Sequence, residues 1–377
     1  MNERTLTSTA SNTGRLLSLD ALRGFDMFWI MGADSIFRAL ARLTDWPLAN
    51  WLATQLEHVE WHGFVFYDMI FPLFLFIAGV ATPYALGKQL ERGVSKNKLM
   101  LKVIRRGLIL VVLGVIYNNG LFQAEWAEMR YASVLGRIGL AYMLAGLIFL
   151  NTQLRGQIIW FAALLLGYWA AMMLIPVPGF GAGQLTVDGS LAAYIDRIVV
   201  PGTLYLEVHD PEGLVSTIPA IATALLGIFA GYLLKGEFPG ITGKSKAAIL
   251  AAAGLIGLIV GYLWGFVFPI NKNLWTSSFV LVAGGWSLLL LALFYLVIDV
   301  WKKQRWVFFF VVIGLNSILI YMAGTFIDFG YTASALIGEL FSPLPEHAQT
   351  MIWYILYVAV QWGFLYFLFR KRVFLKV

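Results

Sequence analysis

The sequence predicts an all-α fold: a polytopic transmembrane helical bundle of about ten spans with both termini in the cytoplasm. Three observations carry that prediction. Of 377 residues, 60% are hydrophobic and only 13% charged, whereas soluble domains run near 45–50% apolar and roughly 25% charged. Ten apolar runs have the reach of a bilayer crossing, which takes about 20 residues in a helix. Lysine and arginine, finally, segregate into alternate connections, as the positive-inside bias requires.

The runs fall at 21–40, 64–86, 103–119, 133–150, 157–175, 214–234, 247–268, 276–299, 306–326 and 350–369. The first is the weakest, because Asp20, Arg23, Asp26 and Asp34 lie in or beside it. Residues 1–14 are polar and read as a cytoplasmic tail, with 15–377 forming a single transmembrane domain. With the N-terminus inside, 21 of the 27 Lys and Arg face the cytoplasm; Arg38, Arg42, Arg130, Arg137, Arg197 and Lys272 remain outside. The formal net charge of +6 is therefore a topology signal, and nucleic acid is not an expected partner. All four histidines, His58, His62, His209 and His347, fall on the outer face or its rim. The long outer loop, 176–213, is rich in Gly and Pro and predicts irregular backbone. In a second outer segment, 327–349, the stretch Ala333 to Phe341 predicts a short interfacial or re-entrant helix. No repeat links the two halves, which weakens a transporter built on inverted repeats.

The chain has no cysteine, so thiolate chemistry is excluded and catalysis must rest on His, Asp, Glu, Ser, Asn or Arg. Asp20, Arg23 and Asp26 are spaced for ion pairing along a helix. They form either a structural pair or, with Arg15, part of a cationic pocket for an anionic ligand. The segment Glu57-His58-Val59-Glu60-Trp61-His62-Gly63, followed by Asp68, is the densest titratable cluster. His58 and His62 are four apart and could share a helical face, which admits a metal, but the H-E-x-x-H pattern is missing and no metal is expected. A structural pair of histidines is a second reading. A histidine acting as a base near neutral pH is a third, with buried Asp68 orienting it like the third member of a triad. Asp210 and Glu212, then Asn271, Lys272 and Asn273, then Asn316 mark polar islands at helix ends. They read as caps or as a site for a hydroxyl-rich, cationic amino sugar. Lys102, Arg105 and Arg106 enter the third span together, as topology anchors or as a phosphate site.

Several blocks carry a resemblance: Arg15-Leu-Leu-Ser-Leu-Asp-Ala-Leu-Arg-Gly24, His58-x-x-Trp61-x-Gly63 with the run from Asp68 to Gly79, Val134-Leu-Gly-Arg-Ile138, Asp210-Pro-Glu-Gly213, Asn271-Lys-Asn-Leu-Trp275 and Gly314-Leu-Asn-Ser317. Over about 15–325 the chain resembles the heparan-α-glucosaminide N-acetyltransferase family, most closely its bacterial members associated with N-acetylglucosamine use. The resemblance implies a multi-pass enzyme of a bacterial inner (cytoplasmic) membrane. It would take acetyl-CoA from the cytoplasm and acetylate the amine of glucosamine, or of a glucosamine-ended saccharide, on the periplasmic side. It also implies a homodimer in the lipid bilayer. His58 then stands at the family's active-site histidine and Asp68 at its following aspartate. Asn50 is the nearest counterpart of a functional Asn that precedes that histidine. The residue before Arg137, usually Gln in the family, is Gly136. The expected acceptor-binding residues are Asn50, Trp61, Asp210, Glu212, Asn271, Lys272, Asn273 and Asn316. The expected donor-binding residues are Arg15, Arg23, Arg105, Arg106 and Arg137. Asn273, Asn316 and Arg137 are also candidates to stabilise a tetrahedral oxyanion. An amino-sugar transporter or permease is the alternative.

Overall fold

The computed structural model describes residues 16–121, 125–236, 238, 240–338, 341 and 343–375; Arg15 lies outside them. The described residues form helices and irregular segments with no strand, only two isolated bridges. Seven helices are long and apolar enough to cross a membrane: Phe66–Glu91, Val134–Asn151, Leu154–Leu174, Leu214–Lys235, Gly243–Gly265, Ser277–Val300 and Glu346–Arg370. An eighth crossing arises if Val307–Gly314 and Ser317–Phe326, bent by 65°, count as one span. The two other expected spans are helical as well. The first runs through Leu17–Phe28 and Asp34–Thr44, and the other is Lys96–Asn119. Both carry too many charged side chains to qualify on composition alone. The short outer helix is Phe329–Ile337, earlier in the chain than the apolar stretch suggested, because Asp328 caps it by accepting from the Tyr331 amide.

The chain divides into two compact units. The first holds the described residues of Met1–Val59, Val65–Ile70 and Leu290–Lys376; the second holds Glu60–Phe64 and those of Phe71–Leu289.

In the first unit, Leu17–Phe28 lies directly on Val307–Gly314. A Cβ on Gly24 would stand 1.7 Å from the Phe310 carbonyl oxygen, and one on Gly314 would stand 2.1 Å from that of Asp20. Edge-to-face rings of Phe25, Phe28, Trp29, Phe66 and Phe310 fill the space beside this crossing. A π-helical turn, Trp29–Ala33, interrupts the first helix where Gly32 takes φ +106°. Such turns free backbone carbonyls, and Gln361 Nε2 donates to that of Met31 at 2.9 Å.

The second unit uses the same device. Cβ atoms on Gly79 and Gly227 would each meet a backbone oxygen, of Ala224 and Phe76, at 2.1 Å. Gly107 and Gly139 bring Lys96–Asn119 onto Val134–Asn151, a Cβ on either standing 3.0 or 2.6 Å from the other's carbonyl oxygen. Lipid tails are as apolar as side chains, so helices in a membrane gain from close backbone approach rather than from apolar burial. Gly243–Gly265 turns Ile256, Ile259 and Leu263 outward, all about 60% exposed, as a lipid-facing helix does.

Gly227→Ala and Gly314→Ala should each lower stability by about 1–3 kcal/mol, the usual cost of overpacking. Gly167→Ala, with nothing within 4 Å, should be neutral or mildly stabilising. Thermal melts in one detergent check the contrast, and equal shifts for all three would refute it.

Candidate active site

In the first unit the chain leaves helix Pro47–Gln55, runs irregularly past His58, and re-enters helix through a short 3₁₀ turn, Phe66–Met69. That turn carries Asp68 inward, where its side chain is 1% exposed. Asp68 Oδ2 accepts from the Val65 amide at 3.2 Å, and Oδ1 meets His58 Nδ1 at 2.8 Å. Gln55 Oε1 accepts from the Phe66 amide, closing the loop at its base. The imidazole is 48% exposed and packs on the Tyr67 ring, centroids 4.9 Å apart. An ionised carboxylate is an acceptor only, so beside one Nδ1 carries the ring proton. A carboxylate on Nδ1 is what orients the imidazole of a histidine base. Next to it in sequence, Glu57 lines a cavity of about 190 Å³ with Ser35, Arg38, Arg42, Thr350 and Tyr354. Arg38 is bonded to Asp34 and Ser35.

The second unit holds a separate polar cluster. Arg130 Nε and Nη2 donate to the two oxygens of Asp210, each at 2.8 Å, and Nη2 also reaches Glu212 at 2.5 Å. The guanidinium lies 4.6 Å from the Tyr205 ring centroid. Burial pulls its pKa down, but Asp210 and Glu212 lift it above the ordinary arginine value. Burial likewise pushes the Asp210 carboxyl up, and the Arg130 hydrogen bonds and charge outweigh it, leaving it below the usual range. Arg137, 1% exposed, donates to Ser216 Oγ and to the Gly213 carbonyl and sits 4.8 Å from the Trp275 ring centroid. Trp61 Nε1 donates to the Leu185 carbonyl at 2.7 Å. Asn271 Oδ1 accepts from the Leu274 amide at 2.8 Å, which turns Nδ2 toward His62 Nδ1 at 3.2 Å. His62 Nδ1 therefore accepts, and burial holds its pKa down.

The structure brings together His58 with Asp68 in one unit and, in the other, Asp210 with Glu212 and His62 with Asn271. It does not give His58 and His62 a common helical face, since residues 56–65 form no helix. Asn50 donates to Asp45 Oδ1, a bond that closes the turn between two helices. Asn316 at the 65° bend gives its amide to Val373 and takes the Leu375 amide on its oxygen. Those bonds make it a tether for the C-terminal segment rather than a sugar contact. Arg23 pairs with Asp20 at 3.5 Å. Arg105 is exposed, and Arg106 lies 4.8 Å from the Tyr142 ring centroid. Arg137 is held apart from Arg105 and Arg106 by its own partners. It starts Val134–Asn151 and reaches the start of Leu214–Lys235, because its charge, shut from water, needs the Gly213 and Ser216 oxygens. Lys272 and Asn273 are half-buried in the turn ahead of Ser277–Phe294. Among the described residues no group of three His, Asp or Glu converges as metal ligands.

Sequence reasoning missed Arg130, Asp196 and His209 as site residues. Arg130 was legible only as one of six cations expected outside. His209 and Asp196 are fully buried, and burial moves their pKa values to about 4 and about 6.

No family model matches the chain. The heparan-alpha-glucosaminide N-acetyltransferase of Mus musculus is 29% identical over 379 residues, covering 85% of this chain and 56% of that protein. The Homo sapiens protein of the same name gives 29% over 378 residues with the same coverage. The chain thus spans little more than half the length of these curated relatives.

The two buried groups oppose each other in acid. Between pH 6.5 and about 4 the unfolded chain binds the His209 proton that the folded chain refuses, so stability falls as pH drops. Between about 6 and 3.8 the folded chain binds the Asp196 proton more tightly, so stability rises as pH drops. Relative to wild type, His209→Gln should hold its melting temperature better from pH 7 to 4.5, and Asp196→Asn should lose it faster. Identical profiles for the three proteins would contradict the assignment.

Proposed function

We propose, from 29% identity over 85% of the chain, that it belongs with the heparan-α-glucosaminide N-acetyltransferases and is a transmembrane N-acetyltransferase. It moves the acetyl group of cytoplasmic acetyl-CoA to the amine of glucosamine, or of a glucosamine-ended saccharide, across a bacterial cytoplasmic membrane. The observation that supports this most directly is the His58–Asp68 pair. An amino sugar is mostly protonated near neutral pH and cannot attack a thioester until it loses that proton. His58 Nε2 takes it, while Asp68 holds the other ring nitrogen and steadies the imidazolium. The neutral amine then forms the C–N bond as the C–S bond breaks; of the two protons the nitrogen sheds in all, one leaves on the CoA sulfur and the other passes from His58 to solvent.

On the donor side, Arg105 and Arg106 are assigned to the phosphates of CoA, matching cations to a polyanion. A ternary complex and an acetyl-imidazole on His58 are both compatible with this chemistry. Exchange of label between CoA and acetyl-CoA in the absence of sugar is expected only for the latter.

In proteoliposomes given acetyl-CoA on one face and glucosamine on the other, mass spectrometry should detect N-acetylglucosamine. His58→Ala should reduce kcat by about 10²–10⁴, the range of a general base, with acetyl-CoA affinity preserved. Asp68→Asn should lower kcat more than it raises KM. Net uptake of unmodified glucosamine without product would instead establish a permease.

A further inference from the structure

Among the side chains of the second unit that carry a buried polar atom without a hydrogen-bond partner, three lie along one stretch of the fold. They are His209 at both ring nitrogens, Arg137 at Nε and Asp196 at Oδ2; their exposures are 0%, 1% and 0%. Asp196 Oδ1 accepts from the Leu214 amide at 2.9 Å, and its carboxylate lies so close to Gly213 that a Cβ there would stand 1.7 Å from Oδ2. Arg137 donates to the carbonyl of the same Gly213 from its Nη2. The Gly213 amide closes the turn onto the Asp210 carbonyl at 3.0 Å, and His209 opens that turn. Arg137 and Asp210 both act on the charge of His209. Trp61 meets the His209 ring edge to face, centroids 5.5 Å apart.

A buried donor or acceptor left without a partner costs about 1–3 kcal/mol, and unpaired groups of this kind in native structures call for a water or a ligand. The set here is one acceptor, one charged donor and an imidazole that both donates and accepts, with an indole alongside. A sugar hydroxyl also donates and accepts, and a pyranose ring has an apolar face that lies on an aromatic.

We propose that Asp196, His209 and Arg137 form a buried subsite that reads hydroxyl groups of the glucosaminide acceptor. The identity of the ligand rests on the acetyltransferase reading; the existence of a hydroxyl-binding site does not. His209 acts here as a binding group, distinct from His58.

Calorimetric binding to the full-length protein in detergent tests this, with glucosamine and its 3-, 4- and 6-deoxy analogues as probes. The wild type should bind at least one deoxy analogue about tenfold more weakly than glucosamine, the scale of one buried hydrogen bond. Asp196→Asn, which keeps the oxygen that caps Leu214, and His209→Gln should each weaken glucosamine about tenfold. Each should also erase the discrimination at one hydroxyl while leaving acetyl-CoA binding unchanged. The proposal is overturned if wild type fails to distinguish the deoxy sugars, a result that needs no variant to fold. It is equally overturned if both variants bind and discriminate as wild type does, with only a lower melting temperature, because water alone would then fill the site. Binding and discrimination without any acetylated product would remove the acetyltransferase reading and leave the subsite standing.

Discussion

One carboxylate organises the polar end of the second unit. Asp210 has no exposure to water, and an ion so placed is tolerated only when its oxygens are filled by hydrogen bonds. Four donors reach it: Arg130 Nε and Nη2, the Tyr205 amide at 3.0 Å and the Glu212 amide at 2.9 Å. Each fixes something else. Arg130 ties the segment after Lys96–Asn119 to a loop eighty residues away, and its backbone amide is held in turn by Asn119 Oδ1 at 2.9 Å. The two amides shape the turn from Tyr205 to Gly213, which sets where Leu214–Lys235 begins. Gly213 then receives Arg137, Ser216 and Thr217 on its carbonyl. Withdraw the carboxylate and Arg130 is left half-buried, the turn loses its centre, and Asp196, Arg137 and His209 lose their common reference point.

Elsewhere the fold depends on what the helices leave out. At Gly24 with Gly314, and at Gly79 with Gly227, backbone meets backbone with no room for a methyl group. Two buried amide side chains sit at breaks in the helices. Gln361 serves the π turn at Met31, and Asn316 serves the 65° bend. Both use a neutral amide that can give and accept in the same place, which is how irregular backbone at membrane depth is kept satisfied. The tight crossings and the amide plugs divide the work: one sets helix spacing, the other repairs the ladder where the helix changes direction.

What could be read from sequence follows the distance between partners. His58 and Asp68 are ten residues apart, within one turn and one loop, so the linear pattern already suggested an oriented base. Arg130 and Asp210 are eighty apart, and nothing local distinguishes Arg130 from any other outward cation. The apolar runs gave most helices because hydropathy is a local sum. The same sum was weakest over 17–44 and 96–119, where charges that pair or snorkel in three dimensions look like interruptions in one. Asn316 shows the opposite limit. Its polarity at a helix break was legible, but its partner, the segment at Val373 and Leu375, is sixty residues further on and contributes only backbone groups, which leave no trace in side-chain chemistry. His209 looked like a neighbour of a capping motif because burial is a property of the fold alone.

The two histidines show how far environment rather than residue type decides chemistry. His58 is half exposed, and a carboxylate meets its Nδ1. Water and a counter-charge both reach that ring, as the proposed base requires. His209 has no exposure to water. Burial, aided by the Arg137 guanidinium and opposed by the Asp210 carboxylate, holds its pKa at about 4, well under the neutral range. A base so weak cannot deprotonate an ammonium, yet a ring fixed as neutral offers one donor and one acceptor whose roles do not change across physiological pH. Proton transfer needs a group poised near its titration point, and recognition of hydroxyls needs one that never titrates. Solvent reaches the ring of His58, the proposed base. His209, shut from water with Trp61 against its ring, suits the second demand, and burial of that kind would be a defect in a base.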